Sequence, residues 1–232
     1  MKKIFLLFQN LLSMFYPRLC PACKQNLFQY EKVICSHCLT HLPETNYHLE
    51  KDNPLNAIFR GRIELRQVAA LLFYQKGNMV QNLLHQLKYK GKQEVGIVLG
   101  QYYGNKLIQQ IDFADIDMII PIPLHPKKQK QRGYNQSECL AKGLSESMKI
   151  PYYTDILKRE LFTQTQTKKD RFNRWKNVKD VFVVEDYEKI SGKKIMLCDD
   201  VLTTGATIEA AAQTLIQGYE IELFVVTIAT AY

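Results

Sequence analysis

The chain has 232 residues, 46% hydrophobic and 23% charged, which suits one α/β domain with a small appendage and excludes a chain too small or too polar to bury a core. Its formal net charge of +8 favours polyanionic partners such as nucleic acid or polyphosphates, although such an excess is commonly only solvated surface and carries no information about fold.

The N-terminal text opens like a signal peptide, but Gln9 and Asn10 interrupt the apolar run and no small-residue cleavage site follows. It is too short to span a bilayer, so no stable membrane insertion is expected. Ile4, Leu7, Phe8, Leu11 and Phe15 recur at helical spacing, and a docked amphipathic helix is predicted, with interfacial membrane binding as the alternative. Four of the six cysteines then form two knuckles, Cys20-Pro-Ala-Cys23 and Cys35-Ser-His-Cys38. That spacing reads as a closed tetrahedral zinc site with a structural role, and thiols kept for metal point to a reducing cytoplasmic setting. Cys139 and Cys198 read as buried core thiols.

Residues 43–56 are irregular and polar, and a division near residue 60 is expected, with a zinc module and linker over 1–60 and an α/β domain over 61–232. Strands are predicted over 68–74, 118–120, 181–184, 195–198 and 221–229. Helices are predicted over 79–88 (Val80, Leu83, Leu84 and Leu87 on one face), 95–110, 135–147 and 207–217. Alternation of this kind implies a parallel sheet covered by helices on both faces. Lys127 to Arg132 reads as a basic loop, and Lys168, Lys169, Arg171, Arg174 and Lys176 surround the single Trp175. Either is a solvated surface or a track for single-stranded DNA phosphates, with Trp175 a stacking or packing residue. His125, between prolines, is at most a candidate acid or base.

The apolar strand ending at Cys198 runs into Asp199 and Asp200, then Thr203-Thr204-Gly205-Ala206-Thr207 opening a helix. Ligands of open parallel sheets bind beyond the carboxyl ends of the strands. Backbone N–H groups and threonine hydroxyls at a helix N-terminus suit a phosphate dianion, and Gly205 allows close approach. Two adjacent carboxylates suit sugar hydroxyls or a nearby magnesium ion. The combination describes ribose 5-phosphate, most simply as phosphoribosyl pyrophosphate with Mg²⁺. Asp-Asp alone would be only a helix cap. Neither a P-loop signature nor a Gly-x-Gly-x-x-Gly fingerprint occurs, which argues against an ATPase or a dinucleotide enzyme.

This segment is similar to the ribose-phosphate motif of type I phosphoribosyltransferases. With the cysteine knuckles, Leu87-Lys88-Tyr89-Lys90-Gly91, the Pro121-Ile122-Pro123-Leu124-His125-Pro126 turn, Gln131-Arg132-Gly133-Tyr134-Asn135-Gln136, and Thr163, Gln166, Arg174, Asn177-Val178 and Phe182 in order, the chain resembles the ComF family of bacterial competence proteins (ComFC and GntX-like members). The resemblance implies a type I phosphoribosyltransferase-like parallel sheet with an N-terminal zinc module. It implies Asp199 and Asp200 as the acidic, catalytic pair, and Thr203, Thr204, Gly205, Ala206 and Thr207 as the 5-phosphate loop. Lys88, Arg132, Gly133, Asn135 and Gln136 fall at the pyrophosphate and flap positions. It further implies a role in DNA uptake, with single-stranded DNA and a competence helicase as partners. The alternative is an active phosphoribosyltransferase of nucleotide metabolism without a direct DNA role.

Overall fold

The computed structural model describes residues 17–160, 181–217 and 220–231. The predicted N-terminal helix and the basic cluster around Trp175 lie outside the described residues. The main sheet consists of β1 (Gln67–Phe73), β6 (Glu222–Thr230), β5 (Lys194–Leu202) and β2 (Met118–Pro121), in that spatial order and all parallel. Val68 lies opposite Val225, Ile195 opposite Leu223, and Ile120 opposite Leu197. The near-continuous apolar text of β5 and β6 follows from burial on both faces.

Successive side chains along these strands feed two separate cores, as the strand period of two requires. Val68, Ala70, Ile120, Leu197 and Val225 face one core, with residues of α2 (Pro54–Phe59) and α8 (Ala206–Ile216). An antiparallel ribbon of β3 (Leu157–Glu160) and β4 (Val181–Val184) closes that side. Ala69, Ile119, Met196, Phe224 and Val226 face the other core, against α3 (Met79–Tyr89), α4 (Gln93–Leu107) and α7 (Gln136–Met148). Cys20, Ala22, Ile34, Cys35, Cys38 of α1 (Ser36–Thr40) and Phe113 of α5 (Ile111–Ala114) pack into this second core. The expected parallel sheet with helices on both faces is thus present.

Helix α3 begins where Asn78 accepts hydrogen bonds from the N–H groups of Val80 (3.0 Å) and Gln81 (3.1 Å). Val80, Leu83, Leu84 and Leu87 are buried, on the face their spacing predicts. Helices α4 and α7 approach unusually closely through glycines. A Cβ on Gly143 would lie 2.1 Å from the Ile97 carbonyl oxygen, and one on Gly100 would lie 2.5 Å from that of Leu140.

Several elements depart from the sequence reading. Helix α2 occupies part of the stretch expected to be irregular. It is started by Asn53, whose side chain accepts from Leu55 N–H (2.9 Å) and donates to the carbonyls of Tyr47, Glu50 and Val68. Residues 127–132, expected as a loop, belong to α6 (Pro126–Arg132), with Pro126 in its first turn and His125 Nδ1 accepting from Lys127 N–H at 3.2 Å. Helix α6 buries no residue, so it leaves no apolar period to read. Strand β4 joins β3 rather than the main sheet. Among the described residues no helix is long and apolar enough to cross a membrane.

Candidate functional site

Strand β5 carries four fully buried residues, Ile195 to Cys198, and continues four residues further than its apolar run. It does so because β6 still pairs with it, with Leu202 opposite Thr230. Asp199 and Asp200 therefore sit within the second half of the strand rather than after it. Adjacent strand residues ordinarily point to opposite faces. Here Cys198 and Val201 pack on the same core, a step of three residues, while Leu197 and Leu202 pack on the other. The strand turns through the acidic pair, and both carboxylates take partners from the helical layer of α3 and α7.

Those partners are specific. Asp199 Oδ1 accepts hydrogen bonds from Ser137 Oγ (2.7 Å) and from the Asp200 N–H (2.8 Å). Lys88 Nζ, from the last turn of α3, lies 3.0 Å from Asp200 Oδ1, with both side chains largely withdrawn from solvent. Burial and the neighbouring Asp200 charge raise the Asp199 carboxyl to about 6, against the opposing pull of Ser137, the Asp200 N–H and Lys88. The pair is thus one strained acid beside one cation-paired carboxylate. Ser137 carried no motif that singled it out in the sequence. Its place at the start of α7, two residues after a capping asparagine, is what brings it to β5.

After Leu202 the chain bends through Thr203 and Thr204 to Gly205, which caps α8 in the left-handed region at φ 79°. Thr203, Thr204, Ala206 and Thr207 are exposed, whereas Gly205 is buried. A Cβ on Gly205 would fall 2.9 Å from the Phe59 ring of α2. Phe59 therefore forms the floor of the loop, a role the polar text around it did not disclose. The loop carries three exposed threonines at the start of an eleven-residue helix, whose Ala206 N–H donates to Thr204 Oγ1 at 3.4 Å.

The turn between α6 and α7 is clamped onto the end of α3. Gly133 leaves α6 at φ 80°, and the Tyr134 hydroxyl donates to the Leu87 carbonyl. Asn135 caps α7, accepting from Ser137 N–H (3.1 Å) and donating to the Ile122 carbonyl (2.9 Å). Both ends of that side chain are engaged in building the turn. Arg132 Nη1 donates to Gln136 Oε1, and its guanidinium lies 5.3 Å from the centre of the Tyr89 ring. Among the described residues its buried Nε finds no hydrogen-bond partner. The structure thus gathers Lys88, Arg132, Gln136, Asp199 and Asp200 around the ends of α3 and α7, with the threonine loop continuing from β5. A separate cavity of about 470 Å³ lies against α6, with Pro123, Pro126, Lys130, Gly133 and Glu138 in its wall; its lining includes neither carboxylate of the pair nor the threonine loop.

The second cluster lies in the cysteine module. The Sγ atoms of Cys20, Cys23, Cys35 and Cys38 all fall within 4.8 Å of one another, and those of Cys23 and Cys35 are 3.7 Å apart. Tetrahedral coordination with Zn–S arms of about 2.3 Å sets sulfur pairs roughly 3.8 Å apart, so four thiolates here could bind zinc. Backbone N–H groups already point at the sulfurs, from Cys35 to Cys20 Sγ and from Cys38 to Cys35 Sγ, each at 3.4 Å. Glu31, 6% exposed, ties the two knuckles by accepting from Phe28 N–H, Ser36 N–H and Ser36 Oγ. On the outside of the module, Phe28 and Tyr30 stack nearly parallel at 5.8 Å and are 65% and 74% exposed.

A family model for the phosphoribosyl transferase domain matches residues 135–232, which spans α7, β3, β4, β5, α8 and β6. The chain is 26% identical over 202 residues to the DNA utilization protein YhgH of Shigella flexneri, covering 86% of this chain and 84% of that protein. It is 35% identical over 100 residues to Competence protein F of Haemophilus influenzae, covering 43% and 44% of the two chains. Competence protein ComFC of Bacillus subtilis is 24% identical over 201 residues, covering 86% and 78%. The parallel sheet and the matched domain show a type I phosphoribosyltransferase-like fold, with a cysteine cluster near the N-terminus that could hold a metal ion. Within that class, the relatives support a ComF-family protein related to competence.

Proposed function

We propose that the site at the end of β5 holds phosphoribosyl pyrophosphate with Mg²⁺, and that the protein serves DNA uptake in competence by contacting single-stranded DNA. The observation that carries the first part is the acidic pair held by Ser137 and Lys88 at the point where the strand enters the threonine loop. Asp199 and Asp200 accept the ribose hydroxyls, and Thr203, Thr204, Gly205, Ala206 and Thr207 enclose the 5-phosphate with N–H and hydroxyl donors. Lys88, Arg132 and Gly133 border the pyrophosphate end, while Asn135 and the fully buried Gln136, bonded to Arg132 and to the Tyr134 carbonyl, keep that turn in place. Magnesium, held beside the pair, would neutralise charge on departing pyrophosphate. The protein's own contribution is to fix the sugar and supply cations at its leaving side.

Zinc in the Cys20, Cys23, Cys35 and Cys38 set would have a structural role, since four thiolates leave no open position. Contact with single strands is favoured by the charge of +8, by the exposed Lys127, Lys128 and Lys130 of α6, and by the outward Phe28 and Tyr30 rings. The relatives, a DNA utilization protein and competence proteins by name, favour that role.

Two titrations test the parts separately. Calorimetry with phosphoribosyl pyrophosphate and Mg²⁺ should give saturable binding that Asp200→Asn abolishes. Oligo(dT) affinity should fall steeply with salt, and replacing Lys127, Lys128 and Lys130 by Ala should weaken it and flatten the slope. Salt-independent or absent binding would remove the DNA role.

A further inference from the structure

The amino ends of β1, β5 and β6 lie at the end of the sheet away from the acidic pair, and they frame a cavity of about 340 Å³. Gln67, 2% exposed, borders it at the start of β1. Its Nε2 donates to the carbonyls of Tyr47, His48 and Glu50, which ties the short turn of helix Tyr47–Leu49 to the sheet. Three ion pairs ring the opening: Lys51 with Asp112 (3.0 Å), Arg66 with Glu222 (3.1 Å) and Lys194 with Asp115 (3.6 Å). The charges of this rim cancel, three against three, on a chain of net charge +8. The same end carries three of the seven large hydrophobic side chains exposed among the described residues, Leu49 (58%), Ile108 (41%) and Ile111 (88%). Ile111 lines the cavity, and Ile108 caps α4 three residues before it. Leu49 is held close by its neighbours, since the His48 ring meets Tyr103 of α4 at 5.4 Å and Lys51 pairs with Asp112 of α5.

We infer that this face is a docking surface for a second copy of the chain, the two related by a two-fold axis. Exposed aliphatic side chains beside a polar rim are the anatomy of a protein interface rather than of a small-ligand site. The charge pattern selects the occupant. Two copies at +8 repel over most of their surfaces, and they meet most easily where the local charge is zero. A nucleic acid gains nothing from a neutral rim, and a partner carrying one sign of charge meets as many repulsive groups as attractive ones. In a two-fold contact the same patch faces itself, so a rim built of opposite charges in pairs is complementary to its own copy. The ties made by Gln67 fix the surface before association, which lowers the cost of ordering it. Association through the amino ends of the strands leaves both acidic pairs and both threonine loops open, facing away from each other. The inference does not depend on which ligand those sites take.

Sedimentation equilibrium on the full chain, from about 1 µM to about 100 µM, tests it. The parent protein should pass from monomer to dimer and go no further. Ile111→Asp should raise the dimer dissociation constant about tenfold or more and leave the melting temperature of the dilute monomer unchanged, since this side chain is 88% exposed. Lys51→Glu should also weaken the dimer, and Lys51→Glu/Asp112→Lys, which inverts the pair, should restore it. A parent that stays monomeric, or that grows beyond dimers, overturns the inference, as does a dimer indifferent to Ile111→Asp. If Ile111→Asp lowers the melting temperature of a monomeric parent, a segment of the chain itself covers this face and the inference fails.

Discussion

Asp199 is pulled two ways by its surroundings. Burial and Asp200 favour its neutral form, while Ser137, the Asp200 N–H and Lys88 favour the carboxylate, and the first pair of effects prevails. Its folded-state proton affinity therefore exceeds that of an unfolded aspartate. The stability it contributes is present below the ordinary carboxylate range near pH 4 and is lost as pH rises through about 6. Asp199→Asn keeps an acceptor for both hydrogen bonds and removes one of two adjacent charges. Thermal melts should show the variant more stable than the parent at pH 7.5, with the gain vanishing near pH 4. A less stable variant at pH 7.5 would show that the charge is well accommodated. Lys88→Met acts in the opposite sense, leaving Asp200 beside Asp199 without its cation. It should lower stability by about 1–2 kcal/mol at neutral pH, read from the denaturant midpoint. His48 adds a separate acid limb. It is 5% exposed, and burial and Lys106 lower its pKa, so its contribution is complete above about pH 6.5 and lost as pH falls below it. His48→Phe should soften the acid side of the stability profile, and a profile unchanged by this substitution would contradict the assignment.

The acidic pair depends on elements that must approach closely, above all α4 and α7. A side chain on Gly143 would meet the Ile97 carbonyl, the Gln101 amide and the Gly100 Cα. Gly143→Ala should destabilise by about 1–3 kcal/mol through overpacking and weaken the Ser137 contact at the start of the same helix. Chemical denaturation and ligand titration read the two effects separately. The long periodic elements were legible in the sequence. Val80, Leu83, Leu84 and Leu87 announced α3, and the apolar run before Asp199 announced β5, because burial leaves a repeat in the text. Helix α2 was not legible, since six residues started by an asparagine and a proline carry too little repeat. Helix α6 was read as a loop because its charged residues bury nothing, and its start depends on His125 and Pro126. Strand β3, Leu-Lys-Arg-Glu, takes its partner from β4 some twenty residues later, a pairing its own charged text did not signal. For the site, Asp199, Asp200 and the threonine loop were visible as a local pattern. Ser137 and Phe59 were not, because only tertiary packing brings them there.

At the scale of the molecule, the cysteine module shares a core with the helices that carry the site. Cys20, Ala22 and Cys38 join α3 and α4 residues in one cluster, and Asn82 of α3 donates to the Ala22 carbonyl at 2.9 Å. Six residues along the same helix, Lys88 reaches Asp200. Loss of metal from the four cysteines should therefore lower the melting temperature and also weaken ligand binding at β5, measurable after chelation or with Cys38→Ser. Unaltered ligand affinity in metal-free folded protein would show the module to be independent of the site. The phosphoribosyl site is tested most directly by a thermal-shift titration with phosphoribosyl pyrophosphate and Mg²⁺, run on the parent protein and on Asp199→Asn/Asp200→Asn. At about 100 times its Kd, a ligand specific for the folded state adds roughly 2.7 kcal/mol, which for a chain of this size is a rise of roughly 5–10 °C. That rise is expected in the parent and none in the double variant, whatever the variant's own starting stability. No rise in the parent, or an equal rise in both, would contradict it.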